Sequence, residues 1–202
     1  AAGTLLLIYG TVLAQTSAGI QAYNSGPLNL RENIQDIRAV NIEGVEADLR
    51  AARRGDASAQ FRMALRYDTG QGVPRNLAES VKWLRNSAAQ GFAKAQYNLG
   101  CMYDGGEGVE QDHVEAVKWF LRAAWQGYAS AQKNLGAKYG NGQGVLQSDV
   151  EAFIWSSIAA GSGDEGAIGN RDLAAGRLSP DDVLAARIKP AELYAEIQQT
   201  TG

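Results

Sequence analysis

The chain has 202 residues, 45% of them apolar and 20% charged, with only four prolines, a composition that belongs to a folded protein and excludes a largely disordered one. Its formal charge of -3 and pI near 5.3 give no general attraction to phosphates, which excludes nucleic acid as an expected partner. A single cysteine, Cys101, and a single histidine, His113, build neither an intrachain disulfide nor a Cys/His metal cluster.

No charged side chain precedes Arg31, and Thr4 to Ala14 form an apolar run with small residues such as Ala18 beyond it. This has the h-region and cleavage zone of a secretory signal, without an initial methionine or a Lys/Arg n-region. Three readings of residues 1–30 stay open: a signal remnant, a retained membrane helix, or an apolar arm packed on the fold or on a partner. The membrane reading needs residues 2–23 to span a bilayer with Gln15, Thr16 and Gln21 tolerated. The first two imply export, so a periplasmic or other extracytoplasmic location is expected, with membrane anchoring open.

Residues 31–55 read as an N-terminal cap, because 43–55 finish in Ala51-Ala52-Arg53-Arg54-Gly55, the ending of a helix that recurs downstream. Three 36-residue units then follow without insertion, over 56–91, 92–127 and 128–163. Ala59, Ala95 and Ala131 share one offset, as do Tyr67, Tyr103 and Tyr139, and Trp83, Trp119 and Trp155. A Gly-x-Gly-Val recurs at Gly70, Gly106 and Gly142. Recurrence of this kind is the signature of a stacked repeat.

The first half of each unit predicts a helix A, with Ala59, Met63, Ala64 and Tyr67 on one apolar stripe. The small residue at Ala64, Gly100 or Gly136 admits a neighbouring helix closely. Glycine then ends helix A, since a left-handed backbone costs it nothing. Asn76-x-x-Glu79, Asp112-x-x-Glu115 and Ser148-x-x-Glu151 predict capping boxes that open helix B, with the glutamate bonding back to the cap. The expected buried face is Ser80, Trp83, Leu84, Ser87 and Ala88, with Ala116, Trp119, Phe120, Ala123 and Ala124 in the second copy. The structural core is accordingly assigned to Tyr67, Trp83, Tyr103, Trp119, Tyr139 and Trp155. Truncating such a tryptophan costs about 3–5 kcal/mol against about 1 kcal/mol for a cap.

Residues 164–202 read as a degenerate repeat and C-terminal cap helices. Ala167 keeps the period, but Arg171 and Asp172 stand at core positions. Ser179-Pro180 opens a last helix, interrupted at Pro190.

The pattern Ala-x3-Leu-Gly-x2-Tyr-x2-Gly-x-Gly-Val, a capping residue, Ala-x2-Trp and Ala-Ala-x-Gly resembles the Sel-one-like repeat (SLR) family, relatives of the tetratricopeptide repeats. It covers residues 43 to about 175 and departs at Met63-Ala64, Ser80 and Gly161-Ser162. The resemblance implies an all-α, right-handed α/α solenoid whose concave surface is lined by the A helices. It implies a non-enzymatic scaffold or adaptor with protein or peptide partners, in many members exported from bacteria. The alternative is an accessory subunit of a membrane protein complex held by the N-terminal segment, with membrane contact through residues 2–23. A hydrolase or beta-lactam-binding protein is suggested only by branches of the family, and Cys101 alone does not reproduce the disulfide-stapled branch.

On the face of helix A opposite the core stand Phe61, Arg62 and Leu65, then Tyr97, Asn98 and Cys101, then Lys133, Asn134 and Ala137. These vary while the core positions repeat, so they are the candidate partner-binding residues. Phe61, Leu65, Tyr97 and Cys101 could form an exposed apolar stripe; equally, they could pack on a neighbouring helix or an extra N-terminal segment. Arg50, Arg53, Arg54, Arg62 and Arg66 place five cations within seventeen residues, either docking an anionic surface or pairing with Glu46, Asp48 and Asp56. The glycine loops suit turns better than phosphate cradles, since no strand precedes them. His113 has no nucleophile placed beside it, so no catalytic residue, cofactor or metal is assigned.

Overall fold

The structure, a computed structural model, describes residues 43–187 and 189. Among these lie nine helices and no strand: α1 over 43–53, α2 (Ala57–Thr69), α3 (Leu77–Ala89), α4 (Ala93–Gly105), α5 (His113–Ala124), α6 (Ala129–Asn141), α7 (Asp149–Ala160), α8 (Glu165–Ala175) and α9 over 180–187. The apolar segment 1–30, residues 31–42 of the expected cap and the break at Pro190 lie outside the described residues. From Gly44 onward the described residues belong to one compact unit. Helices α2/α3, α4/α5 and α6/α7 pair as hairpins, α3 packs on α4 and α5 on α6, and α8 packs on both α7 and α6. This is the all-α solenoid of helical hairpins.

Each hairpin turns by the same chemistry. Gly70, Gly106 and Gly142 adopt left-handed φ of 75°, 71° and 66°, and their N–H groups donate to the carbonyls of Arg66, Met102 and Lys138, ending helix A. The second glycine has a further reason. A Cβ on Gly108 would lie 2.5 Å from the Leu77 carbonyl oxygen, and one on Gly144 2.2 Å from that of His113, so each turn seats against the first turn of the preceding helix B. Asn76, Asp112 and Ser148 then accept from the N–H of Glu79, Glu115 and Glu151 at 3.1, 2.9 and 3.2 Å. The expected return bond from the glutamate is replaced. The capping residues donate their own N–H to the carbonyls of Tyr67, Tyr103 and Tyr139 at 2.8–3.0 Å, closing the hairpin through its backbone, and Glu79 and Glu115 pair instead with Lys82 and Lys118.

The core differs from expectation by one position in the first two B helices, where Val81 and Val117 rather than Trp83 and Trp119 are buried, while the third buries both Phe153 and Trp155. Val81, Val117 and Phe153 are buried, together with Leu84, Phe120, Met63, Leu99 and Leu135. Of the six aromatic residues assigned to the core, Trp155 is buried, whereas Tyr67, Trp83, Tyr103, Trp119 and Tyr139 are half-buried against its flanks. Two layers of short helices with small residues at their contacts cannot cover a whole indole. Trp119 accordingly keeps one face for the Arg122 guanidinium, 4.3 Å from the ring centroid. Trp155 is buried where Trp125, just past the end of α5, packs edge-on against it at 6.0 Å.

A second framework is polar. Gln60, Gln96 and Gln132 are buried, and each donates its side-chain amide to the carbonyl of Ala52, Ala88 or Ala124 at 3.1 Å. The Gln96–Ala88 and Gln132–Ala124 bonds join one unit to the next, and within the first two units Gln90 and Gln126 donate to the Oε1 of Gln60 and Gln96 at 2.7 Å. In the third unit Ser162 takes this place and donates to Ala159 O instead.

Candidate functional site

Of the two readings left open for the outer face of helix A, Phe61 and Tyr97 follow the one in which they pack on the next helix, and Lys133 also reaches forward. Phe61 reaches forward to Phe92, ring centroids 5.3 Å apart; Tyr97, one period on, meets Tyr128 at 5.0 Å; Lys133, one period further, places Nζ 2.9 Å from Asp164. The same two positions thus hold an aromatic pair twice and an ion pair once. The choice is written at the helix starts. Asp56 and Asp164 cap α2 and α8 by accepting from Ala59 and Ala167, while Phe92 and Tyr128 at the starts of α4 and α6 make no side-chain cap bond. At the inner junctions a cap of about 1 kcal/mol is exchanged for ring burial and an aromatic contact worth about 0.5–1.5 kcal/mol beyond area.

Tyr97 also lies 5.9 Å from Phe120 and packs with Cys101 on the main core cluster. Burial pushes its phenol up to about 12, with Cys101 and Tyr128 adding to the rise and the Asn134 amide opposing it. Burial likewise raises the Cys101 thiol, which disfavours the thiolate, the nucleophilic form. Asn98 is spent locally, donating to Lys94 O at 2.7 Å. Arg62 and Leu65 are the two members of the set that remain exposed, Leu65 at 39%.

Two carboxylates organise the charges of this face. Asp48 of α1 receives Arg62 Nε at 2.6 Å and Arg66 Nε at 2.9 Å, and Arg50 pairs with Glu46 at 3.3 Å. Pairing within the cluster therefore accounts for three of its five arginines, while Asp56, expected among the partners, caps α2. Burial alone would raise the Asp48 carboxyl, but bonds from Arg62 and Arg66 outweigh it and hold it below its ordinary value. Asp104 of α4 bonds to the buried Lys138 ammonium of α6 and lies 2.6 Å from Nδ1 of His113. Burial again opposes ionisation, and the bonds from Lys138 and His113 again outweigh it. His113 is thereby a structural partner at the junction between the second and third units.

Sequence reasoning missed the buried glutamines and the Asp104–Lys138 pair. The signal for the first was an identical glutamine at each 36-residue offset. For the second there was none, because Lys138 and Asp104 are joined only once the repeats stack. Among the described residues no group of three His, Cys, Asp or Glu could hold a metal ion. No described helix is long and apolar enough to cross a membrane.

The Sel1 repeat profile matches residues 57–92, 93–128 and 129–164, more than half of the chain. Among solved structures, a Sel1 repeat protein from Oxalobacter formigenes is 38% identical with a TM-score of 0.60, over 64% of this chain and 97% of that one. A protective antigen of uropathogenic Escherichia coli strains with an SLR fold, c5321, is 25% identical with a TM-score of 0.59, over 78% of this chain but 42% of its own length. No match is found among curated proteins. Sel1 repeats generally mediate protein–protein interaction and typically act as non-enzymatic scaffolds. From its three consecutive repeats and the hairpins they build, the chain belongs to the Sel1 repeat family.

Proposed function

We propose that the chain is an adaptor that holds a protein or peptide against the outer face of α2, α4 and α6, without chemistry of its own. The supporting observation is a division of labour on those helices. The junction pairs Phe61–Phe92, Tyr97–Tyr128 and Lys133–Asp164 fix the helices in register, and Arg62 and Leu65 stay exposed beside them. Rigid presentation of a face whose residues differ from unit to unit is how a solenoid obtains a specific groove without altering its core. The reading includes export from a bacterial cell, supported by the apolar run Thr4 to Ala14 and by likeness to a protein described as a protective antigen.

The test is affinity capture with the chain and with an Arg62→Lys/Leu65→Glu double variant, which keeps a cation beside Asp48, together with sequencing of the mature N-terminus from separated cell fractions. The adaptor reading expects a reproducible partner that the double variant loses, and a chain recovered outside the cytoplasm. A membrane-bound, stoichiometric assembly retaining residues 1–20 would replace it with the reading of a complex subunit held by that segment.

A further inference from the structure

The junction between α5 and α6 is filled by Leu121 from the earlier helix and by Leu135 and Tyr139 from the later one. One period on, at the junction between α7 and α8, these three positions hold Ser157, Arg171 and Ala175, and α9, which starts out of the 36-residue register, brings Arg187 to the same place. Three large apolar side chains are thus replaced by two small ones and a guanidinium. The space they vacate is a cavity of about 420 Å³, lined among the described residues by Phe153, Ser157, Arg171, Asp172, Ala175 and Arg187. Ligand pockets begin at about 300 Å³.

The chemistry of the walls is selective. Phe153 is buried, and together with Ala175 it makes an apolar side. Ser157 Oγ is buried with no hydrogen-bond partner among the described residues. Arg171 lies 2.7 Å from Asp172 Oδ1, so its charge is compensated. No carboxylate among the described residues pairs with Arg187. The site therefore carries one uncompensated positive charge, one idle hydroxyl and an apolar wall.

We propose that this cavity binds a small organic monocarboxylate, its carboxylate on Arg187 and the Ser157 hydroxyl and its apolar body against Phe153 and Ala175. A guanidinium receives a carboxylate through two parallel hydrogen bonds. A dianion would be only half compensated here and would face Asp172. Arg187 is exposed, so a neutral ligand of the same shape would gain the apolar wall and the hydroxyl but not the charge-assisted bonds.

The test is a titration of the isotope-labelled full chain with benzoate and hexanoate, followed by the amide resonances of Ser157 and Ala175, with benzyl alcohol and inorganic phosphate for comparison. At least one carboxylate should give saturable shifts at both amides, at least tenfold tighter than either comparison compound. Arg187→Gln should weaken that binding about tenfold. Ala175→Tyr restores the tyrosine of the three full repeats, and should abolish binding while leaving Tm equal or higher, which separates a filled cavity from an unfolded chain. Absence of saturable shifts with both carboxylates, equal binding of benzyl alcohol or phosphate, or retained binding in Ala175→Tyr would overturn the proposal.

Discussion

A Cβ added to Gly100 would lie 2.6 Å from Cε1 of Phe120, so the largest fully buried side chain of the core occupies the space that this glycine leaves. The first unit has Ala64 and Leu84 at these positions, both fully buried, and the exchange of alanine for glycine accompanies the exchange of leucine for phenylalanine. Gly100→Ala should gain about 1 kcal/mol of helix propensity and lose about 1–3 kcal/mol to overpacking. Phe120→Leu alone should leave a void. The double variant rebuilds the pair of the first unit, so urea unfolding should show it more stable than the two single changes sum to, by about 0.5–3 kcal/mol. Additive effects would mean that the two positions do not share this space.

The junction pairs admit a swap. Phe92→Asp supplies a cap worth about 1 kcal/mol but gives up half-buried ring area and an aromatic contact that together exceed it, for a net loss of about 1–2 kcal/mol. Adding Phe61→Lys recreates the Lys133–Asp164 arrangement at the first junction and should recover part of that loss. Thermal unfolding of the single and double variants checks both steps, and a double variant weaker than Phe92→Asp alone would contradict the equivalence of the junctions.

The glutamine link missing from the third unit can be restored. Gln126→Ala strands the buried Oε1 of Gln96 and should cost about 1–3 kcal/mol. Ser162→Gln should supply a donor for Gln132 and add about 0.5–1.5 kcal/mol, read as an increase in the urea midpoint.

How far the chain could be read in advance follows the range of each interaction. Caps and helix-ending glycines act within four residues, and Asn76, Gly106 and Ser148 do what their local chemistry requires. The helix B stripe was misplaced because Ser80, Val81, Leu84, Ser87, Ala88 and Ser80, Trp83, Leu84, Ser87, Ala88 are both helical stripes. Size favoured tryptophan in the reading, and the close approach of the helices favours valine in the structure. The outer face of helix A was harder still. Whether Phe61 and Tyr97 meet solvent depends on residues 31 positions later, and only stacking brings Phe92 and Tyr128 to them.

Acid should weaken the fold through two named carboxylates. Asp48 and Asp104 both ionise below the ordinary aspartate value of 3.8 in the folded chain. Their stabilisation is therefore fully present above about pH 4 and is lost as pH falls through the lower folded values. Tm should fall below about pH 4, with a shallower slope in Asp48→Asn and in Asp104→Asn. At neutral pH Asp104→Asn should also destabilise, because Lys138 keeps a buried ammonium without its counter-charge. Asp104 is 29% exposed, so the cost should stay below the ~3–5 kcal/mol of a fully buried pair. An unchanged acid limb in both variants would place the acid sensitivity elsewhere.

The most direct measurement is the affinity of the purified chain for its captured partner, with Arg62→Lys/Leu65→Glu, which keeps a cation beside Asp48, compared against a paired control at Lys82 and Lys118, exposed cations on the B helices. If the face of α2, α4 and α6 holds the partner, the first pair should weaken binding at least tenfold at unchanged Tm and the control should leave it intact. Full affinity in the first pair, or equal loss in both, would contradict binding through that face.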